Sequence, residues 1–266
     1  MRQPLVAIAI ATTAIAVTSV AVGAPQNQRA AIKAAVDSPT RTDTNRARDR
    51  HRHPAETLAF FGVQPGHTVV ELYPGGGWYT EILAPYLNAN GTLYVAAPMP
   101  NGVKGVQTLM AKDAATYGKL RVAAFPTGDV KVPDASADVV LTFRNIHNWH
   151  MGGADNAQAA FNEAFRMLKP GGTFGVVEHR LPENRPDAEQ DKSGYMKTSA
   201  VLAYAQKAGF EVAGRSEVNA NPRDTANWEA GVWTLPPVLR LKDKDRARYE
   251  AIGESDRMTI RFRKPA

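Results

Sequence analysis

The chain has no cysteine. That absence removes disulfide frameworks, thiolate metal sites, cysteine nucleophiles and a lipoprotein anchor, all of which need a thiol. Beyond residue 22 no apolar run is long enough to span a bilayer. There is no Gly-x-Ser-x-Gly elbow and no phosphate loop ending in Gly-Lys-Ser/Thr. Serine-hydrolase and P-loop nucleotidase chemistry therefore fall away. Neither sign of charge dominates: 32 Lys+Arg against 26 Asp+Glu leave +6 over 266 residues, a weak field. With 44% hydrophobic and 22% charged residues, the chain is globular rather than disordered, collagenous or coiled-coil.

The N-terminus reads as an export signal. Met1-Arg2 is a short basic start, Leu5 to Val22 is apolar or small without charge, and Ser19 to Ala24 offers small residues for cleavage. Residues 1–24 are thus expected to be a signal peptide, with an uncleaved anchor as the other reading. The mature protein is expected to be periplasmic or secreted, without stable membrane insertion. Residues 25–53 read as a linker and a basic N-terminal helix. Arg41, Arg46, Arg48, Arg50, Arg52, His51 and His53 face only Asp43 and Asp49 there. Such a run is either a solvated helix face or a basic lip that attracts an anion. It lacks interleaved aromatics, so nucleic acid is not an expected partner.

From Pro54 onward, strands and helices alternate. Strand patterns fall at Thr68–Leu72, Thr92–Ala97, Leu120–Phe125, Asp138–Phe143, Thr173–Glu178 and Phe210–Ser216. Helix patterns fall at Pro54–Phe61, Trp78–Leu87, Val103–Tyr117, Asn156–Leu168 and Tyr195–Ala208. Met258–Phe262 alternates apolar and polar residues, as an antiparallel strand does. Residues 54–266 are expected to form one α/β domain with a doubly wound, Rossmann-like sheet. That sheet is mostly parallel and ends in an antiparallel strand. The segment 220–248, with Trp228 and Trp233, reads as an insertion over the sheet edge.

The strongest chemical signal is Val69-Val-Glu-Leu-Tyr-Pro-Gly-Gly-Gly-Trp78. A strand ends in an acid, and a glycine-rich turn opens a helix. Glycines let a ligand approach the backbone, and a helix N-terminus offers free N–H groups. A second constellation, Phe143-Arg-Asn-Ile-His-Asn-Trp-His150, follows the fourth strand. A third, Glu178-His179-Arg180, closes the fifth. Ligands of such sheets sit at the carboxyl ends of the strands.

These segments carry a resemblance to the class I S-adenosylmethionine-dependent methyltransferases, within them to a branch of predicted methyltransferases bearing export signals. Glu71 to Gly77 resembles the acid-x-Gly-x-Gly-x-Gly cofactor loop. Asp138 to Trp149 resembles the fourth-strand motif, Phe165 to Gly172 the turn before strand five, and Asp256 to Lys264 the closing antiparallel strand. The resemblance implies S-adenosylmethionine as cofactor, held by Glu71, Tyr73, Gly75, Gly76, Gly77, Asn145 and Asp129. It also implies methyl transfer to a small molecule.

His147-x-Trp149 is similar to the pair in small-molecule O-methyltransferases whose histidine is the base. A histidine there can take a proton as a methyl group is transferred. Arg144 and Asn145 would orient the substrate, and His179 would be a second base or contact. The structural alternative is that His147 caps a turn and Trp149 packs on the next helix. Two departures stand out: Tyr73 replaces the first glycine of the loop, and Ala96-Ala97-Pro98 replaces the acid that normally holds the ribose. No metal is expected; His51-x-His53 and His147-x-x-His150 are the only pairs with ligand-like spacing. The second functional reading is a non-catalytic or repurposed Rossmann-like binding protein of the envelope.

Overall fold

A computed structural model of the chain describes residues 26–266. The expected signal peptide lies outside the described residues. Among those described, no helix is long and apolar enough to cross a membrane.

The strands are β1 (Thr68–Leu72), β2 (Thr92–Ala97), β3 (Arg121–Ala124), β4 (Ala137–Phe143), β5 (Leu168–Leu181), β6 (Met196–Lys197), β7 (Glu211–Ser216) and β8 (Arg257–Arg263). The sheet runs β3-β2-β1-β4-β5-β8-β7, and β6 pairs with β5 off that path. The strands from β3 across to β5 are parallel, whereas β8 runs antiparallel to both β5 and β7. This is the doubly wound α/β sheet expected from the alternation. Strand order reverses between β1 and β4, which opens a crevice at their carboxyl ends.

The helices are α1 (Gln26–Val36), α2 (Asp43–Arg46), α3 (Asp49–Arg52), α4 (Pro54–Phe60), α5 (Thr80–Leu87), α6 (Lys104–Lys112), α7 (Ala114–Tyr117), α8 (Ile146–Met151), α9 (Ala154–Met167), α10 (Thr198–Ala208) and α11 (Arg246–Ile252). They cover both faces. Period-2 alternation divides the strands between two cores. Val70, Leu72, Val140, Phe174 and Val176 face α8, α9 and α10 through Trp149, Phe161 and Val201. Val69, Leu141, Phe143 and Val177 face α1, α4 and α5 through Ile32, Leu58 and Ile82.

Several expectations need adjusting. The helix expected over Val103–Tyr117 breaks at Asp113, whose carboxylate caps the second piece by accepting from Thr116 N–H at 3.1 Å. The strand expected to begin at Thr173 already starts at Leu168. The turn at Gly171-Gly172 is paired to Lys264, with Gly171 N–H donating to its carbonyl and Gly172 carbonyl accepting from its N–H. The helix expected from Tyr195 starts at Thr198, because Met196–Lys197 pairs with β5 and the Tyr195 hydroxyl donates to Asp224 at 3.0 Å.

The largest difference concerns residues 26–53. They form neither a linker nor a solvated basic face. Ile32, Ala35 and Val36 of α1 are buried in the second core. Arg41 is 2% exposed and forks onto both oxygens of Asp49, at 2.7 and 2.8 Å. Arg41 and Arg52 stack on the Trp78 ring, 5.1 and 4.7 Å from its centroid. The basic run is therefore folded onto the helix that follows the glycine loop. Ala226 and Val232 of the segment 220–248 pack with Leu181 and Tyr195 at the end of β5, an interior strand, rather than over an edge of the sheet.

Candidate functional site

Strand β1 ends beneath the turn that shapes the site. Tyr73 adopts a left-handed backbone, φ 50°, where the motif expects glycine. Two contacts hold that strain. Its N–H donates to Ala96 carbonyl at 2.8 Å, and its ring packs edge-on against Phe125 and Trp149, with centroids 5.9 and 5.6 Å away. Gly75 takes φ 58°, and the space beside both Gly75 and Gly76 is open. Gly77, at φ 86°, instead backs onto α6: a side-chain carbon there would lie 2.5 Å from Leu109 Cδ1.

The turn borders a cleft of about 290 Å³. Glu71, Tyr73, Gly75, Gly76, Arg144 and Asn145, all named from the sequence, line it. Asn45, Arg48, Arg52, Trp78, Tyr79 and Phe143 complete the wall. Glu71 is buried and accepts a hydrogen bond from Thr80 Oγ1 at 2.6 Å. Burial pushes its carboxyl up to about 7, against the opposing pull of Thr80 and the Arg144 charge. Asn145 bridges two strand ends, donating from Nδ2 to Leu72 carbonyl and to Thr142 Oγ1, both at 3.1 Å. Arg144 sits at φ 62°, and burial together with the Arg257 charge pushes its guanidinium down to about 10.

A second polar group stands at the end of β5. Glu178 Oε2 accepts from Ile146 N–H at 2.6 Å and from His147 N–H at 3.3 Å. Its Oε1 accepts from His179 N–H at 2.8 Å and lies 2.9 Å from His147 Nδ1. The carboxylate therefore stops the N-terminus of α8 and orients the His147 ring. The His179 ring is 5.1 Å from that of His147, and its Nδ1 is 2.5 Å from Ser255 Oγ. Burial, then the neighbouring His147, Arg144 and Arg257 charges, hold His179 well below the usual histidine range. Trp233, from the 220–248 segment, meets His147 edge-on at 6.1 Å.

Some expected residues are not brought to the cleft. Asp129 is exposed in the turn after β3 and is absent from the cleft wall. Gly77 supports the wall from behind. His147 and His179 stand beside the cleft rather than on it. His150 leaves His147 for Tyr204 and Asp191, at 2.8 and 3.0 Å, so the His147-x-x-His150 pair does not converge. Donor atoms of His147, Glu178 and His179 do lie within 4.8 Å of one another. The Glu178 oxygens, however, are already engaged by backbone N–H groups and the His147 ring. Sequence reasoning named Glu178 and Trp78 within their motifs but gave neither a role, and it missed Glu254. Only an acid on a buried strand run and a tryptophan after a glycine turn marked the first two.

Comparison with known proteins agrees with this geometry. Residues 70–176 match the methyltransferase domain family. The chain is 25% identical over 211 residues to an arsenite methyltransferase of Halobacterium salinarum, covering 78% of this chain and 49% of that one. It is 26% identical over 211 residues to the sterol 24-C-methyltransferase ERG6B of Gibberella zeae, covering 74% and 52%. The chain thus spans about half the length of these curated relatives. A SAM-dependent methyltransferase from Aquifex aeolicus has the same fold: TM-score 0.53 at 19% identity, over 72% of this chain and 93% of that one. The domain has the class I methyltransferase fold.

The residues of the cleft fit the amino-acid half of S-adenosylmethionine, the methyl donor named for the Aquifex aeolicus protein. Open backbone at Gly75 and Gly76, the Glu71 carboxyl and Asn145 form a polar cradle of the required kind. The ribose end is built differently. At the end of β2, where the resemblance expects an acid, Ala97 is buried, its methyl 2.8 Å from where a Gly102 side chain would start.

Proposed function

We propose that this chain transfers a methyl group from S-adenosylmethionine to a small molecule outside the cytoplasm. The observation that carries the reading is the open Gly75-Gly76 backbone above Glu71, facing a cleft at the β1–β4 crossover. The export part rests on the N-terminal leader alone. When bound, the cofactor supplies an electrophilic methyl carbon on a sulfonium.

The chain supplies position and a proton acceptor. Above pH 7, Glu71 is ionised and faces the cationic cofactor from the end of β1. Tyr79, stacked on Phe143 at 3.5 Å, and Trp78 give the cleft a rigid aromatic wall. Glu178 takes the Nδ1–H of His147, which leaves the Nε2 lone pair free. A histidine so oriented would accept the acceptor's proton at Nε2 during methyl transfer. Most of the rate enhancement in such an in-line transfer comes from positioning.

The test uses methyl-labelled S-adenosylmethionine, the protein and an envelope small-molecule extract. Label should pass to an extract component with the wild type. With His147→Ala, transfer should fall by roughly 10²–10⁴ while cofactor affinity is kept. Unchanged transfer in that variant removes His147 as base, and no transfer by the wild type counts against the activity. A second reading, a repurposed binding protein, draws on one observation, the buried Ala97 where a ribose-holding acid is expected. It predicts a folded protein that does not bind the cofactor.

A further inference from the structure

The cleft carries an imbalance of charge that the cofactor does not relieve. Glu254 is the centre of it. Its Oε1 lies 2.7 Å from Arg48 Nε, and its Oε2 lies 2.9 Å from Arg52 Nε and 3.2 Å from Arg257 Nη1. One carboxylate thus serves three guanidiniums. Arg144 is a fourth; it feels Glu254 and Glu71 through space, but among the described residues no ion pair or hydrogen bond joins its side chain to a carboxylate. The one acid on the cleft wall is Glu71, which burial inclines toward its neutral form. Four guanidiniums therefore meet two carboxylates.

This excess is only partly open to water. The side chains of Arg52 and Arg257 are 4% and 2% exposed, and Arg144 is half-buried. Uncompensated charge in such a place is costly, so buried charges are as a rule paired. Arg144 is also held in a left-handed backbone that a side chain of its size rarely adopts. Guanidinium forks match the oxygens of carboxylates and phosphates. S-adenosylmethionine brings a carboxylate but also an ammonium and a sulfonium, so its net charge is positive and adds to the excess.

We propose that the cleft seats an anionic methyl acceptor, whose carboxylate or phosphate group is held by Arg144 together with Arg48 and Arg52. The role of acceptor rests on the methyl-transfer reading, whereas the anion seat itself does not.

The experiment is titration of the full-length chain with inorganic phosphate, at ionic strength held constant with sodium chloride. Binding is read by calorimetry and by thermal unfolding, with and without saturating S-adenosylhomocysteine. We expect saturable stabilisation by phosphate that chloride does not give. It should be at least ten-fold weaker in Arg144→Met and persist when S-adenosylhomocysteine is bound. Arg144→Met removes an unpaired charge and should unfold no earlier than wild type without phosphate. Arg48→Met, at a 23% exposed side chain, gives the same readout should the first variant not fold.

Phosphate acting no differently from chloride, or binding both variants as tightly as wild type, overturns the proposal. Mutual exclusion of phosphate and S-adenosylhomocysteine also overturns it, since the seat would then be that of the cofactor's own carboxylate. Phosphate binding without any S-adenosylhomocysteine binding supports the anion seat and fails the methyl-transfer reading, which separates the two.

Discussion

Two buried glutamates stand near strand ends on the same edge of the sheet, and they are treated in opposite ways. Glu178, fully buried near the end of β5, is surrounded by donors: three backbone N–H groups and the His147 ring. Glu71, 2% exposed near the end of β1, has one, the Thr80 hydroxyl. A buried carboxylate with a single donor, as at Glu71, drifts toward the neutral acid. The β5 end is therefore finished by the protein itself. The β1 end is left incomplete, with open backbone beside it, as a ligand site requires. Glu178 holds the machinery in place, and Glu71 waits for a partner.

The comparison can be broken most directly at Glu178. Glu178→Leu leaves several buried donors without an acceptor and should cost more than about 3 kcal/mol, read by urea unfolding. A loss below about 1 kcal/mol would mean that the donors are not satisfied by this carboxylate.

Glu71 should respond with the other sign. Its folded carboxyl titrates near 7, against 4.5 for the unstructured group. The folded state then holds the proton more tightly than the unfolded one. That contribution to stability is complete below pH 4.5 and lost as the pH climbs through about 7. Glu71→Gln keeps an acceptor for Thr80 and removes the titration. It should stabilise the ligand-free protein by about 3 kcal/mol at pH 8, with the gain fading toward pH 4.5. The same variant should bind the cofactor more weakly. A destabilised Gln variant at pH 8 would show that Glu71 is charged and content without a ligand.

The smallest effect is expected at Asp129. Being exposed and off the cleft wall, Asp129→Ala should change stability by less than about 0.5 kcal/mol and leave cofactor affinity unaltered. A clear loss of affinity there would extend the site beyond the cleft described.

Much of the frame was legible because hydrophobic periodicity reports burial directly. β1 and β2 follow from short, mostly apolar runs, and β8 from its alternation. The glycine loop was legible because only glycine tolerates the backbone of Gly75 and Gly77 at low cost. What stayed hidden depends on pairing across distance. Arg41 and Arg52 look like surface charges until Trp78 and Glu254 are placed against them, the latter 202 residues away. Glu178 looks like the polar end of a strand until α8 brings its N–H groups from 31 and 32 residues upstream. Tyr73 reads as a broken motif, yet its ring pays for the strained backbone through contacts with Phe125 and Trp149.

The central claim is that the β1 edge is a cofactor cradle despite Tyr73 and Ala97. Calorimetric titration of the full-length chain with S-adenosylmethionine and S-adenosylhomocysteine at pH 8, where Glu71 is ionised, tests it most directly. The account predicts saturable one-to-one binding, lost in Gly76→Val, a position with open space and no positive φ, whose variant should fold normally. No binding by a folded protein at millimolar ligand, or undiminished binding by Gly76→Val, would contradict it.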